Sequence, residues 1–263
     1  IAECGRNIAC SGALPLGVTN CLNFGNPYDK GVYWQMKESI RGMSDMCIEL
    51  DTPVTGGNVS LYNESGDTAI YPTPTIGMVG VLEDVSKHMT QWFKYDNNLI
   101  VLLGENKDEL GGSEYINRIH NVVAGECPEL DQKFESRLQK FIIEAIQNGI
   151  VNSAHDCAEG GISVALAECC ISNKEKMIGC EVELNEKIRK DALYFGETQS
   201  RIIVSLSEEN YKKLETLAIA KEIPIKIIGK TGGDKLKVNS DITLGLDILA
   251  KTWYEAIPNI MNK

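Results

Sequence analysis

Apolar residues at Met36, Ile40, Met43, Cys47 and Leu50 recur at spacings of three and four, which predicts an amphipathic helix over Val32 to Leu50 with its methionine stripe in a core. Phe134, Leu138, Phe141, Ile142, Ala145 and Ile146 predict another that stops at Gly149. Small and apolar residues at Ala2, Ile8, Ala9 and Cys10 predict a helix ending near Ser11, and the apolar run Ile162 to Ile171 predicts one more. The unbroken run Leu99 to Leu103 reads as a buried strand, and Ile202 to Leu206 as a strand. From Ala69 to Leu82 β-forming residues dominate, with prolines confined to the first half, so an edge-type bend leading into a strand is expected. Asn210 to Ala220 reads as a helix, Ile223 to Ile228 as a strand and Gly229 to Gly233 as a turn. The polar stretch between Glu83 and Asn98 places a domain boundary near Lys94 to Asn98, giving units 1–95 and 96–263.

Glycine-rich polar segments punctuate these elements. Thr55 to Ser65 carries Gly56-Gly57 followed by Asn58, Ser60, Asn63, Glu64 and Ser65, short oxygen and amide groups that suit a phosphate or a hydrated metal, or an ordinary glycine turn. Leu14 to Pro27 begins like a strand and runs into Asn20, Asn23, Asn26 and Gly25, residues at home in turns or against a ligand. A second Gly-Gly, Gly111-Gly112, lies in the polar loop after Leu103. A third, Gly160-Gly161, opens the Ile162 helix, where free N–H groups favour anions and where Asp156 and Glu159 could hold a cation. Taken singly, Asp156 reads as a helix cap and His155 as a hydrogen-bonded structural imidazole. Phe195 to Arg201 sets four polar side chains at the entrance of the Ile202 strand.

Composition narrows the function. A net charge of -11 over 263 residues lacks the basic footprint that nucleic acid or an anionic membrane requires. It leaves phosphorylated small molecules open, since backbone N–H groups and magnesium can neutralise phosphates. Apolar runs fall far short of the roughly 18 residues of a membrane span. The nine cysteines show no C-x-x-C spacing and read as reduced thiols of a cytoplasmic protein. Neither a Rossmann fingerprint nor a Walker loop is present, and the three histidines have no metal-ligand spacing. No Ser-His-Asp set can be argued from order. The chain starts without Met and without a signal-peptide pattern, so it reads as cut from a longer one.

In order along nearly the whole chain, Cys21-Leu22-Asn23-Phe24-Gly25-Asn26-Pro27, Gly56 to Glu64, Glu109 to Tyr115, His155-Asp156 with Glu159-Gly160-Gly161, and Glu197-Thr198-Gln199-Ser200-Arg201 resemble phosphoribosylformylglycinamidine synthase, in the second half of its small-type synthetase subunit. The resemblance implies an α/β plus α+β fold, one aminoimidazole ribonucleotide synthetase-like repeat made of two domains, with the first truncated at its start. It implies an ATP-dependent ligase of purine biosynthesis that converts formylglycinamide ribonucleotide and ammonia to formylglycinamidine ribonucleotide. Carried over by motif, Gly57 contacts ATP, Asn58 binds magnesium and Ser60 contacts the ribonucleotide. Asn20 stands where the family usually has a nucleotide-contacting Asp, and an amide there lacks the charge that attracts a cation. Asp156, Glu197 and Gln199 mirror the first half's motifs and are candidates for an auxiliary nucleotide site. The family's histidine-rich catalytic motif belongs to the first half, so no catalytic residue is assigned and no independent activity is expected. Implied partners are the missing N-terminal half and the glutaminase and small accessory subunits that supply ammonia; without that half, exposed apolar surface should promote self-association. The competing readings are a non-catalytic nucleotide-binding half, or another ATP-using member of the same superfamily.

Overall fold

The computed structural model describes residues 1–66 and 68–261. It divides into two compact units, residues 1–9 with 13–85 and residues 10–12 with 86–263. The division falls before the polar stretch at Lys94 to Asn98. Phe93 is buried and donates its N–H to the Cys169 carbonyl at 3.0 Å, which ties that stretch to the second unit.

The first unit contains α1 (Ala2–Cys10), β1 (Leu14–Asn23), α2 (Lys30–Leu50), β2 (Val54–Ser60), the short hairpin β3 (Glu64–Ser65) and β4 (Thr68–Ala69), and β5 (Thr73–Val81). Asp29 starts α2 by accepting from the N–H groups of Gly31 and Val32 at 2.8 and 3.0 Å. Asp51 ends it in the left-handed region, with φ 55° and its N–H turned back to Cys47 and Ile48. The sheet order is β2-β1-β5, with β2 parallel and β5 antiparallel to β1, so β1, α2 and β2 form a crossover unit. Asn20 to Asn23 and Val54 to Ser60 are strand, where the sequence suggested turn and loop. Pairing on both sides of β1 overrides the local turn preference of asparagine. The methionine stripe of α2 also departs from expectation. Met46 and Cys47 are buried, whereas Met36 and Met43 are half-buried and Ile40 is 42% exposed, so the stripe is only partly core.

The second unit contains β6 (Leu99–Leu103), α3 (Glu114–His120), α4 (Gln132–Gln147), β7 (Ser153–Asp156), α5 (Gly161–Ile171), β8 (Cys180–Val182), α6 (Lys190–Phe195), β9 (Ile202–Leu206), α7 (Glu208–Lys221), β10 (Ile225–Thr231), β11 (Lys235–Val238), β12 (Ile242–Gly245) and α8 (Leu246–Met261). Its seven strands run β12-β11-β8-β10-β6-β9-β7, antiparallel throughout except for β11 beside β8. Every residue of β6 and β9 is buried, as two central strands require. Ile100, Leu102, Ile162, Leu166, Cys169 and Val182 belong to the main core, which joins α5 to the sheet. Gly229 to Thr231 are part of β10 and not a turn. A bulge between Ile227 and Gly229 lets this strand pair with β6 along one side and with β8 along the other. All nine cysteines are free thiols. No helix among the described residues is long and apolar enough to cross a membrane.

Candidate functional site

In the first unit, the register of β1 and β2 decides which polar groups share a side. Asn20 lies opposite Gly57 and Leu22 opposite Val59, while Cys21 faces Asn58 and Asn23 faces Ser60. Strand alternation therefore puts Asn20 and Gly57 on one face and Asn58 and Ser60 on the other. A hollow of about 370 Å³ against α2 is lined by Asn20, Leu22, Gly57 and Val59 of the first face together with Ile40 and Met43, and Asn58 also reaches it. Periodicity alone assigns those two α2 residues to a core. Their exposure could not be read from spacing, because a helix stripe looks the same over a core and over a cleft.

Gly57 has a packing reason to be glycine. Its φ is +155°, and a Cβ there would lie 2.3 Å from Asn20 Oδ1 and 2.5 Å from the Asn20 carbonyl oxygen. On the second face, Asn58 is exposed and Ser60 half-buried. Ser60 closes the strand through Asn63, whose Nδ2 donates to the Ser60 carbonyl at 2.9 Å and to the Phe24 carbonyl at 3.0 Å. The Ser60 hydroxyl is 3.2 Å from Asn63 Oδ1. Among the described residues the Asn20 and Asn58 side chains have no protein hydrogen-bond partner, so their amides stay available. Asn58 and Ser60 are neutral oxygen donors. Among the described residues no group of three or more His, Cys, Asp or Glu is placed to hold a metal ion. Such a donor set fits magnesium only as a supplement to nucleotide phosphates, which bring the charge.

In the second unit the third glycine pair is served from within the chain. Gly160 takes the left-handed conformation ahead of α5, and its N–H donates to Glu197 Oε1 at 2.9 Å. The same oxygen accepts the N–H of Glu114, at the start of α3, at 2.9 Å. The anion expected at this helix entrance is thus Glu197 itself. A Cβ on Gly161, at φ +67°, would lie 2.6 Å from the Gly196 carbonyl oxygen, so the 195–197 turn lies directly against the helix entrance.

Asp156 ends β7, buried, with Oδ1 3.5 Å from His155 Nδ1, and His155 Nε2 is 2.8 Å from Glu168 Oε2. Glu159 is exposed, so burial separates the two carboxylates once paired as a cation site. Gln199 donates to the Glu197 carbonyl at 3.1 Å and lines another hollow, of about 270 Å³, with Glu105, Lys107, Asp131 and Arg137. Arg201 carries a larger part than its place at a strand entrance suggested. Fully buried, it donates to the carbonyls of Thr198 and Gly196 and to Asn106 Oδ1 at 2.8, 2.6 and 2.7 Å, fixing the turn that presents Glu197 and Gln199. The signal was an arginine next to an apolar strand, where burial demands several acceptors. No local pattern announced the exposed-edge network of Tyr194, Asp241, Lys190 and Asn239.

Two family models match this chain in sequence. The AIR synthase related protein N-terminal domain matches residues 1–82, and the corresponding C-terminal domain matches residues 96–240. The chain belongs to the AIR synthase related family. Among the curated relatives it resembles, phosphoribosylformylglycinamidine synthase subunit PurL of Moorella thermoacetica is 45% identical over 99% of this chain and 36% of its own length. The same subunit of Symbiobacterium thermophilum is 48% identical over 89% of this chain and 30% of its own length. The chain thus spans about a third of these AIR synthase related relatives. In structure, Thermotoga maritima PurL complexed with FGAR aligns over 95% of this chain and 42% of that one with a TM-score of 0.72, at 16% identity. Hydrogenase maturation protein HypE aligns over 94% of this chain and 80% of its own length with a TM-score of 0.67, at 13% identity. At such identities these likenesses speak for the fold, an AIR synthase-like repeat of two domains.

Proposed function

We propose that this chain is one repeat of the synthetase subunit of phosphoribosylformylglycinamidine synthase. In that role it supplies part of the site in which ATP drives formylglycinamide ribonucleotide and glutamine-derived ammonia to formylglycinamidine ribonucleotide. The observation that carries the reading is the 45% identity to a subunit of that name, sustained over 99% of the chain. The available amides at Asn20 and Asn58 support it, because a phosphate-bearing ligand needs neutral donors and acceptors that protein contacts have not already used. Asn58 and Ser60 then face the magnesium-bound phosphates and the ribonucleotide. Asn20 and Gly57 flank the nucleotide from the α2 side of the sheet. The magnesium supplies charge neutralisation when bound; this chain's part is to position the phosphates around it. A cytoplasmic setting is part of this reading, and nine free thiols support it, since such thiols stay reduced there. The remaining two thirds of the subunit's length, with its glutaminase and small accessory partners, supply the catalytic groups and the ammonia.

Two measurements test this. The chain, alone and mixed with the rest of a synthase subunit, is assayed for ADP release with ATP, magnesium, ammonium and formylglycinamide ribonucleotide; turnover should need the mixture, and turnover by the chain alone would overturn the shared-site reading. Calorimetry with magnesium and ATP on the complemented protein should show Asn58→Ala weakening binding about tenfold, the loss of one good polar contact to a charged ligand. Unchanged affinity would favour a repeat that is structural. That second reading has its own support, since Gly57 and Glu197 both have packing duties that need no ligand.

A further inference from the structure

A hollow of about 260 Å³ in the second unit is lined by Lys87, His88 and Lys94 along with Met89, Tyr95 and Gln147. No acidic side chain lines it, in a chain with 37 acidic residues against 26 Lys and Arg, so this is a basic spot on an acidic protein. Lys87 is held at its edge, donating from Nζ to the Gln147 carbonyl at 2.8 Å. Lys94 is half-buried, and its Nζ lies 3.7 Å from Met89 Sδ, a weak and uncharged acceptor. Among the described residues no carboxylate lies within ion-pair distance of it. Burial without a counter-charge pushes its ammonium below the ordinary lysine value. The consequence is a larger share of neutral amine, the nucleophilic form, at a lysine that solvent still reaches.

We propose that Lys94 is a site of acylation by small anionic acyl phosphates, guided to it by the basic lining of this hollow. In the step, the amine lone pair attacks the acyl carbonyl carbon and the carbon–oxygen bond to phosphate breaks. Phosphate leaves with that electron pair, and the proton released from nitrogen passes to solvent, giving an amide and inorganic phosphate. The Lys87 ammonium attracts the donor's negative charge. The modification removes one positive charge from the hollow.

Acetyl phosphate is the probe. The intact chain is incubated with it at mildly alkaline pH and the acetylation rate of each lysine is followed by mass spectrometry of peptides. Lys94 should be modified several times faster than Lys212, whose side chain is 87% exposed. In urea the difference should vanish. Lys87→Gln should slow the reaction of Lys94 with acetyl phosphate and leave its reaction with a neutral acetyl ester unchanged. Modification of Lys94 no faster than Lys212, or persistence of the preference in urea, would overturn the proposal. Indifference of the acetyl phosphate rate to Lys87→Gln would do the same.

Discussion

Glu197 separates a structural from a ligand-binding role at the entrance of α5. One of its carboxylate oxygens accepts two backbone N–H groups, from Gly160 and from Glu114, each at 2.9 Å. Glu197→Ala removes both charge-assisted bonds and leaves two helix-entrance donors to water that only partly reaches them. At about 1–2 kcal/mol for each, the loss is about 2–4 kcal/mol. In a unit of this size each kcal/mol moves the melting temperature by about 2–4 °C, so a fall of about 5–15 °C is expected. Glu197→Gln keeps an amide oxygen in the same place and gives up only the charge at the helix start, about 0.3–1 kcal/mol. Differential scanning calorimetry of the three proteins is the assay. If Glu197→Ala melted with the parent, or above it, the cap would carry no stability, and the carboxylate would be one held in place for a ligand.

Gly57→Ala should destabilise the first unit by about 1–3 kcal/mol in urea unfolding, because backbone and side-chain atoms of Asn20 occupy the place of the new methyl group; unchanged unfolding would show that the strands part without strain. Acid should act on Asp241. Hydrogen bonds from Lys190 Nζ at 2.8 Å and from the Tyr194 hydroxyl at 2.5 Å hold its carboxyl below the usual range. A depressed folded-state pKa gives stability that is present above the unfolded value and is lost as pH falls through the folded one. The melting temperature of Asp241→Asn should therefore vary less than the parent's between about pH 2 and pH 5, and parallel curves would refute the assignment.

Much of the fold was legible because its periodicity is strong. β6 is an unbroken apolar run and β9 is apolar except for Ser205, and α2, α4 and α5 fall within a residue or two of where spacing and capping residues put them. The misread strands have one cause. Asn20 to Asn23, Val54 to Ser60 and Gly229 to Thr231 look like turns by local preference and become strand through partners distant in sequence. The candidate site was legible as a set of residue types and not as an arrangement. Motif order brought Asp156, Glu197 and Gln199 together. The structure ties Glu197 to two helix entrances, buries Asp156 beside His155 and turns Gln199 toward a separate hollow. Arg201, which fixes that turn, was visible only as one more polar residue, since what a buried guanidinium does depends on which carbonyls the chain folds around it.

The alternation along β2 also decides how one ligand could use Gly57, Asn58 and Ser60 together. Their side-chain directions differ, yet Gly57 and Asn58 line the same hollow against α2. β2 is the outer strand of its sheet, and among the described residues the backbone groups on its free side have no strand partner. A glycine on such an edge offers N–H and C=O to a close-approaching phosphate, and the absence of a Cβ keeps that approach open. The ligand would then lie along the edge of β2, touching the Gly57 backbone and the Asn58 side chain at once. That arrangement assigns different consequences to neighbouring substitutions. Asn58→Ala, exposed and without a protein partner, should weaken magnesium–ATP binding and leave stability alone. Gly57→Ala should lower stability as well as affinity, because its methyl group meets Asn20. If Asn58→Ala instead lowered stability with affinity intact, the strand would be scaffold and the nucleotide would bind elsewhere.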